Sequence, residues 1–323
     1  MKVQKISFWI SFPVLLLAAG AVTADPKWVT ECGTELTEPG HYKLKGDLLD
    51  CPEDGVLISG SDITLDMKGH EISCMDTGYA AAGVKLRGPE ETVVRNVTVQ
   101  NGHVTNCSDG ILLIRTEDSK VTHMTSSGNR AQEGQFGTGI VVWLSSNNVI
   151  THNHTFDNEG TGIGSWESSG NLFKHNTSYG NVNSFGIYAE FESNSRIMCN
   201  TAYGNLDGIW LGPESTGNLL RGNVASDNLF TGIGMMGYAW DGVFWLDIPS
   251  DNTIRSNIVE NNPWGDFWEV YYDLVTGDVP LHPEGLCQNT WEKNQFLWGY
   301  GPEGCFGVPV ELDNDGVCAL DDD

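Results

Sequence analysis

Apolar and polar positions alternate in short bursts along residues 55–262, and the bursts recur. A Gly followed by Ile opens six of them, at Gly110-Ile111, Gly139-Ile140, Gly162-Ile163, Gly186-Ile187, Gly208-Ile209 and Gly232-Ile233. The steps are 29, 23, 24, 22 and 24 residues. Inside a burst every second residue is apolar, which is the period of a strand and not of a helix. Ile187 and Ala189 alternate with Tyr188 and Glu190, Ile197 begins a second strand, and Ala202 points inward from a third. Between bursts runs Asn-x4-Asn-x4-Asn: Asn148/Asn153/Asn158, Asn171/Asn176/Asn181, Asn218/Asn223/Asn228 and Asn252/Asn257/Asn262. A period of this length means stacked units that cannot bury their apolar faces alone. The pattern predicts an all-β fold, a single-stranded right-handed parallel β-helix of about nine rungs, its hand set by the preference for right-handed crossovers. Asn suits the corners because it tolerates positive φ and its amide can stack on the Asn above and below.

The ends of the chain read differently. Lys2 and Lys5 precede an apolar run from Ile6 to Ala19, and Val22-Thr23-Ala24 supplies small residues for cleavage. This predicts a signal peptide over 1–24, too short for a membrane span, and a secreted or periplasmic product with no membrane insertion. Residues 25–54 read as an N-terminal cap and 55–262 as the β-helix. Residues 263–310 read as a C-terminal aromatic cap carrying Trp264, Phe267, Trp268, Tyr271, Tyr272, Trp291, Trp298 and Tyr300, and 311–323 as an acidic tail. A solenoid needs its last rung covered, or the open strands recruit another chain.

Charge narrows the partners. The formal net charge is −26, with 17 basic and 43 acidic residues. Such a surface repels nucleic acid and anionic membranes. It also repels a polyuronate unless cations or a local basic patch intervene.

All eight cysteines follow the signal, which in an exported chain predicts disulfides. Cys32 and Cys51 bracket the N-terminal segment and are expected to pair. Gly69-His70-x3-Cys74 repeats as Gly102-His103-x3-Cys107, placing Cys74 and Cys107 on successive rungs. Stacked strands lie ~4.8 Å apart, within the span of a disulfide. Cys287, Cys305 and Cys318 compete at the C-terminus, with Cys199 either their partner or a free thiol.

Stacking equivalent positions yields candidate sites. Outward positions on the first strand of successive rungs carry Trp143, Trp166, Tyr188 and Trp210, and the third strand adds Tyr179 and Tyr203. Nearby stand Glu167, Glu190, Glu192, Asp207 and Glu214. Aromatic rings stack on sugar faces, carboxylates accept from hydroxyls, and paired carboxylates perform glycoside acid/base chemistry. Glu167 and Glu190 are therefore the catalytic candidates. Lys174, from a basic column with Arg221 and Arg255, is the candidate base of a lyase. The competing reading is aromatic stacking that steadies neighbouring rungs. Segments 238–248 and Arg130–Gly137 are predicted walls of a groove. A second column reads Arg95, His123, His152, His175, Cys199, Gly222 and Ser256. Its three His suggest copper or zinc, although a straight column does not surround an ion. Asp313-Asn314-Asp315-Gly316 suggests calcium but lacks the full twelve-residue loop.

Units such as Gly186-Ile187-Tyr188 and Asn200-Thr201-Ala202-Tyr203-Gly204-Asn205 resemble the parallel β-helix repeats of the pectin-lyase-like superfamily. Within it the chain is most similar to the group of the periplasmic nitrous oxide reductase maturation protein and the carbohydrate-binding/sugar-hydrolase repeat proteins. Asp62-Ile63-Thr64-Leu65-Asp66-Met67-Lys68-Gly69-His70 is similar to the early rung of that group. The resemblance covers roughly residues 30–262 and implies the fold. It also brings copper into consideration. That superfamily holds lyases, hydrolases, epimerases and non-catalytic binders, so fold alone does not choose among them. The Asp-Pro-His-Glu signature of mannuronan epimerases is absent, and no aspartate triad matches that of polygalacturonases. The first expectation is an exported protein that binds, and as a lyase or hydrolase cleaves, a polysaccharide or oligosaccharide. The alternatives are a non-catalytic metal-binding accessory protein and a structural surface protein.

Overall fold

A computed structural model describes residues 26–75, 80–131, 136–240, 243–273, 288–300, 305–306, 308–312 and 318. The predicted signal lies outside them. The chain winds as a parallel β-helix with two walls. Eleven strands stack in parallel in the front sheet, from Thr34–Leu36 and Val56–Ile58 to Gly265–Asp273 and Gly299–Tyr300. The back sheet has 18 strands. One turn of the coil gives Ile163–Trp166 to the front and then Leu172–Lys174 and Thr177–Tyr179 to the back. The eight-residue strands Thr98–Thr105 and Lys120–Ser127 run through the bend between the two back columns and join them into one sheet. None of the helices among the described residues is long and apolar enough to cross a membrane.

The predicted interior column is in register. Ile111 pairs with Ile140, and Ile163, Ile187, Ile209 and Ile233 follow rung by rung, all buried. The Gly before each Ile answers crowding: a Cβ on Gly208 would collide with the Gly232 carbonyl, and one on Gly162 with the Ser178 hydroxyl. Only near the C-terminal end does a larger residue take the position, Asp266 opposite Gly232.

The Asn residues form ladders inside the corners. Asn153 Nδ2 donates to Asn176 Oδ1 at 3.0 Å, Asn176 to Asn200 at 3.0 Å, Asn200 to Asn223 at 3.1 Å and Asn223 to Asn257 at 3.0 Å. The same amides also donate to carbonyls inside the coil, as Asn200 does to Phe173 at 2.9 Å. Stacking is therefore as expected, but the conformational reason needs correcting. The positive φ falls on the residue just before each ladder Asn: His152 at 56°, His175 at 55°, Cys199 at 55°. Asn153 and Asn176, which match a glycosylation pattern, are buried in this ladder.

Two further corrections concern the ends. The segment 25–54 already coils: Thr34–Leu36 stacks on Val56–Ile58, and Gly40–Leu44 stacks on Ile63–Asp66. At the other end, Gly265–Asp273 and Thr290–Glu292 continue the rungs beyond 262. Closure falls to an aromatic plug in which Trp291, Phe296 and Phe306 pack on buried Phe267 at 4.8, 5.0 and 5.9 Å. Tyr271 and Tyr272 have side chains outside the described residues, as does most of 311–323, including Asp313–Gly316.

Cys32–Cys51 and Cys74–Cys107 are bonded, with Cα separations of 5.5 and 4.7 Å. The rung alignment around the second is offset by one residue from the sequence reading, since His103 pairs with Glu71. Cys199 bonds Cys318 and so ties the C-terminal segment to the middle of the coil. Cys305 is disulfide-bonded as well.

Candidate groove on the front sheet

The outward side of the front sheet holds a groove of about 390 Å³. Asp109, Phe136, Trp143, Trp166, Glu167 and Glu190 line it, over a floor of Leu112, Ile114 and Val141. Register places these residues together. Ile114, Trp143, Trp166 and Glu190 are successive neighbours on four rungs. Trp166 lies flat because Gly164 beside it has no side chain; a Cβ there would strike the indole. Phe136, from the predicted wall at 130–137, stacks on Trp166 at 5.8 Å. The rest of that wall, 132–135, lies outside the described residues. Trp143 is 42% exposed, and its indole N–H donates to Glu167 Oε1 at 3.4 Å. A shallower depression of about 560 Å³ continues round the corner past Glu167, Phe191 and Ser193.

The expected aromatic face is narrower than the sequence suggests. Tyr188 and Trp210 are buried, not ligand-facing. Phe185 stacks on Tyr188 at 4.6 Å and leans on Trp210 at 5.7 Å. The Tyr188 hydroxyl is tied to Tyr238 and Glu190, and burial raises its pKa. Tyr238 belongs to Thr231–Trp240, which forms an antiparallel hairpin with Val243–Leu246. The predicted wall at 238–248 therefore begins as a cover over this end of the sheet. Tyr179 and Tyr203 are on the back sheet, where Phe156, Tyr179 and Tyr203 stack at 4.9 and 5.0 Å. They do not share the groove.

The acidic candidates separate in the same way. Glu167 and Glu190 stand on adjacent rungs, and the Glu167 N–H donates to the Glu190 carbonyl at 3.0 Å. Burial raises the pKa of the Glu190 carboxyl, hydrogen bonds from Tyr188 and Trp166 oppose this, and the neighbouring charge of Glu167 adds to it. Lys174 is on the back sheet, in register with Met198 and Arg221, so it does not join the two glutamates. Glu192 points into the coil and is fully buried. Its carboxylate accepts from Ser165 at 2.6 Å, from Asn171 at 3.1 Å and from Ser195. Glu214 sits at a corner and accepts from the Asp247 N–H at 3.1 Å.

Two buried aspartates occupy one column at the start of the front strands. Asp207 accepts from the Thr231 N–H at 3.0 Å and from its hydroxyl at 2.5 Å; that hydroxyl accepts from the Trp210 indole at 2.7 Å. Asp109 accepts from the Thr138 N–H at 2.9 Å. Burial pushes its carboxyl up to about 7, only partly offset by that N–H, by the charge of Lys85 and, least, by the backbone N–H of Phe136. Asp109 and Phe136 are the groove residues that the columns after Gly-Ile do not reveal. The column one position before the Gly, read as Asp109, Thr138, Thr161, Phe185, Asp207 and Thr231, exposes the first of them as a carboxylate at a buried site.

The His column is real but not convergent. His123 and His152 stack at 5.2 Å with ring planes 8° apart, and His152 and His175 stand at 5.1 Å and 38°. An imidazole lone pair lies in its ring plane, so parallel stacked rings aim their nitrogens side by side and not at one ion. Nδ1 of His123 and of His152 is also engaged by Thr122 and Thr151, at 2.9 and 2.8 Å. Among the described residues no three His, Cys, Asp or Glu side chains group as a metal centre requires. The column follows instead from the left-handed corner, a conformation in which His, Asn and Asp are enriched. Its first member is Asn101, not Arg95, because Gln100 and Gly102 pair with Thr122 and Met124.

Solved structures share this coil at low identity. The A-module of mannuronan C-5 epimerase AlgE6 from Azotobacter vinelandii matches with 12% identity, covering 86% of this chain and 84% of that one, at a TM-score of 0.50. The periplasmic alginate epimerase AlgG matches with 14% identity, covering 89% and 74%, at 0.52. The enzymatically active domain of tailspike protein 2 from bacteriophage CBA120 matches with 12% identity, covering 77% and 42%, at 0.52. These likenesses concern the fold. No curated protein matches by sequence. One family model matches residues 55–270, two thirds of the chain, and its periplasmic description agrees with the export predicted from the N-terminus. The chain belongs to the NosD family, described as periplasmic copper-binding proteins.

Proposed function

We propose that this is an exported glycan-binding protein whose ligand lies in the front-sheet groove. The observation that carries the reading is the juxtaposition of a half-exposed indole, a Phe136–Trp166 stack and the Glu167/Glu190 pair around one elongated depression. Apolar ring faces and a few placed acceptors are what a carbohydrate site needs. The solved neighbours share only the coil.

Cleavage would fall to Glu167 and Glu190. A carboxyl raised by burial beside a second carboxylate is the arrangement that separates an acid from a base. The test is a panel of neutral, acidic and amino glycans offered to the purified mature protein. Binding is read by calorimetry, and cleavage by reducing ends and by the absorbance of unsaturated sugars. Binding that falls at least tenfold in Trp143→Ala and Trp166→Ala fits the groove. Absence of binding across the panel rejects it.

The family description names copper. His123, His152 and His175 supply imidazoles without convergence, so these residues do not fit a shared copper or zinc centre.

A further inference from the structure

The two aspartates of the front-sheet column differ in one respect. At Asp207 both the N–H and the hydroxyl of the threonine one rung on go to one carboxylate oxygen. Thr231 donates to the carboxylate, and three residues after the aspartate the indole N–H of Trp210 donates to Thr231. At Asp109 the equivalent residue, three positions on, is Leu112, which has no donor. Thr138 takes the place of Thr231 and gives its N–H to Asp109. Asp109 Oδ2 and the Thr138 hydroxyl are then left buried without a hydrogen-bond partner. Orphaned buried acceptors are costly and call for an explanation. Asp109 also lines the groove, so a ligand in the groove stands beside it.

The missing group is a donor: one aspartate further up the column, Trp210 gives its N–H to the threonine hydroxyl that in turn bonds the carboxylate. The charge around it favours a cationic donor. Asp109, Glu167 and Glu190 line the groove, and none of its described lining residues is basic. Lys85 and Arg115, on neighbouring rungs, pair with Asp54 at 2.9 Å and Glu91 at 3.2 Å. A polyuronate would bring further negative charge into this lining. A sugar with a free amino group would bring the N–H donors and the compensating charge together.

We infer that the groove selects an amino-sugar glycan, with Asp109 Oδ2, backed by Thr138, receiving its free amino group. The inference rests on the groove reading above and names its ligand class.

The test compares four oligosaccharides of equal length on the full mature chain by calorimetry near neutral pH: β-1,4-glucosamine, its N-acetylated form, a neutral glucan and an oligogalacturonate. The glucosamine oligomer is expected to bind about tenfold more tightly than its acetylated form, as for one charge-assisted hydrogen bond gained. That preference should shrink to within about twofold in Asp109→Asn and in Thr138→Val, two independent variants of which either suffices. Equal affinity for the two forms overturns the inference, as does a preference unchanged in both variants or tighter binding of the uronate. If neutral or acetylated oligomers bind, and lose binding in Trp166→Ala, the groove stands and amine recognition is rejected. If none of the four binds, the groove reading itself fails.

Discussion

The front and back of this coil are made by the same repeat yet obey different rules. Behind, the corner position of each rung is filled by the same amide doing the same job, from Asn153 through Asn176, Asn200 and Asn223 to Asn257. In front, the outward position is not held to one residue type: Ile114, Trp143, Trp166, Glu190. A buried polar ladder permits variation only where a second change compensates, because each member satisfies the next. An outward position carries no such obligation. The regular wall therefore holds the irregular wall in register, and specific chemistry collects where the repeat is free to vary.

The largest way to break the comparison is to cut the ladder. Asn200 accepts from the N–H and the side-chain amide of Asn176, at 2.9 and 3.0 Å, and donates to Phe173 and Asn223. Asn200→Ala removes all four bonds and leaves buried partners unsatisfied, a loss of about 5 kcal/mol. Thermal unfolding should fall by roughly 10 °C or more. A fall of only a degree or two would mean that the rungs hold together without their amides.

Next is the pH dependence of Asp109. Its folded pKa of about 7 stands above the ordinary 3.8, so the folded state holds the proton more tightly than the unfolded one. Stability attached to this group is complete below pH 3.8 and is lost as pH rises towards 7, by up to about 4 kcal/mol. Asp109→Asn should accordingly unfold at a higher temperature than the parent at pH 8, with the gap closing at pH 4. A gap that is the same at both pH values would show that Asp109 ionises freely in the fold.

Smaller still is the effect on the front face itself. Trp166→Ala should weaken groove binding about tenfold, whereas Tyr203→Ala, on the back-sheet stack, should leave it within twofold. Equal losses in the two variants would place the ligand elsewhere.

What could be read in advance follows the same division. The interior column Ile163, Ile187, Ile209 was legible because a two-residue strand period and a rung period coincide at every turn. The Cys74–Cys107 bridge was legible from repeated spacing, even with its local alignment offset by one. The exposure of Tyr188 and Trp210 was not. Phe185 covers both from a repeat column in which it is the one aromatic residue, and Tyr238 of a hairpin outside the repeat reaches the Tyr188 hydroxyl. Asp109 escaped for a related reason. Its distinction from Asp207 lies three residues on, in Leu112 against Trp210, a difference that has meaning only once both aspartates are known to be buried.

The smallest expected effect belongs to a double variant, and it is the most exacting check, because it asks how the ladder absorbs a substitution it already carries. In one corner column Ser195 interrupts the series Asn148, Asn171, Asn218, Asn252, and the Asn171 N–H donates to its hydroxyl at 2.8 Å. Serine is too short to receive the Asn171 amide as well. Glu192 supplies that acceptor from the column otherwise filled by Ser145, Ser168 and Ser215, reaching inward to Asn171 at 3.1 Å. Asn/Ser on one rung has become Ser/Glu on the next, with burial raising the glutamate's pKa. Glu192→Ser alone strands Asn171, Ser165 and Ser195 and should cost about 3 kcal/mol. Adding Ser195→Asn restores the ordinary pair and leaves only the Ser165 hydroxyl without its acceptor, so Glu192→Ser with Ser195→Asn should recover more than half of that loss, a coupling that additive effects cannot produce. If the double variant is as unstable as the single, the glutamate does something in the coil that an amide cannot replace, and the ladder is less uniform than its bonds suggest.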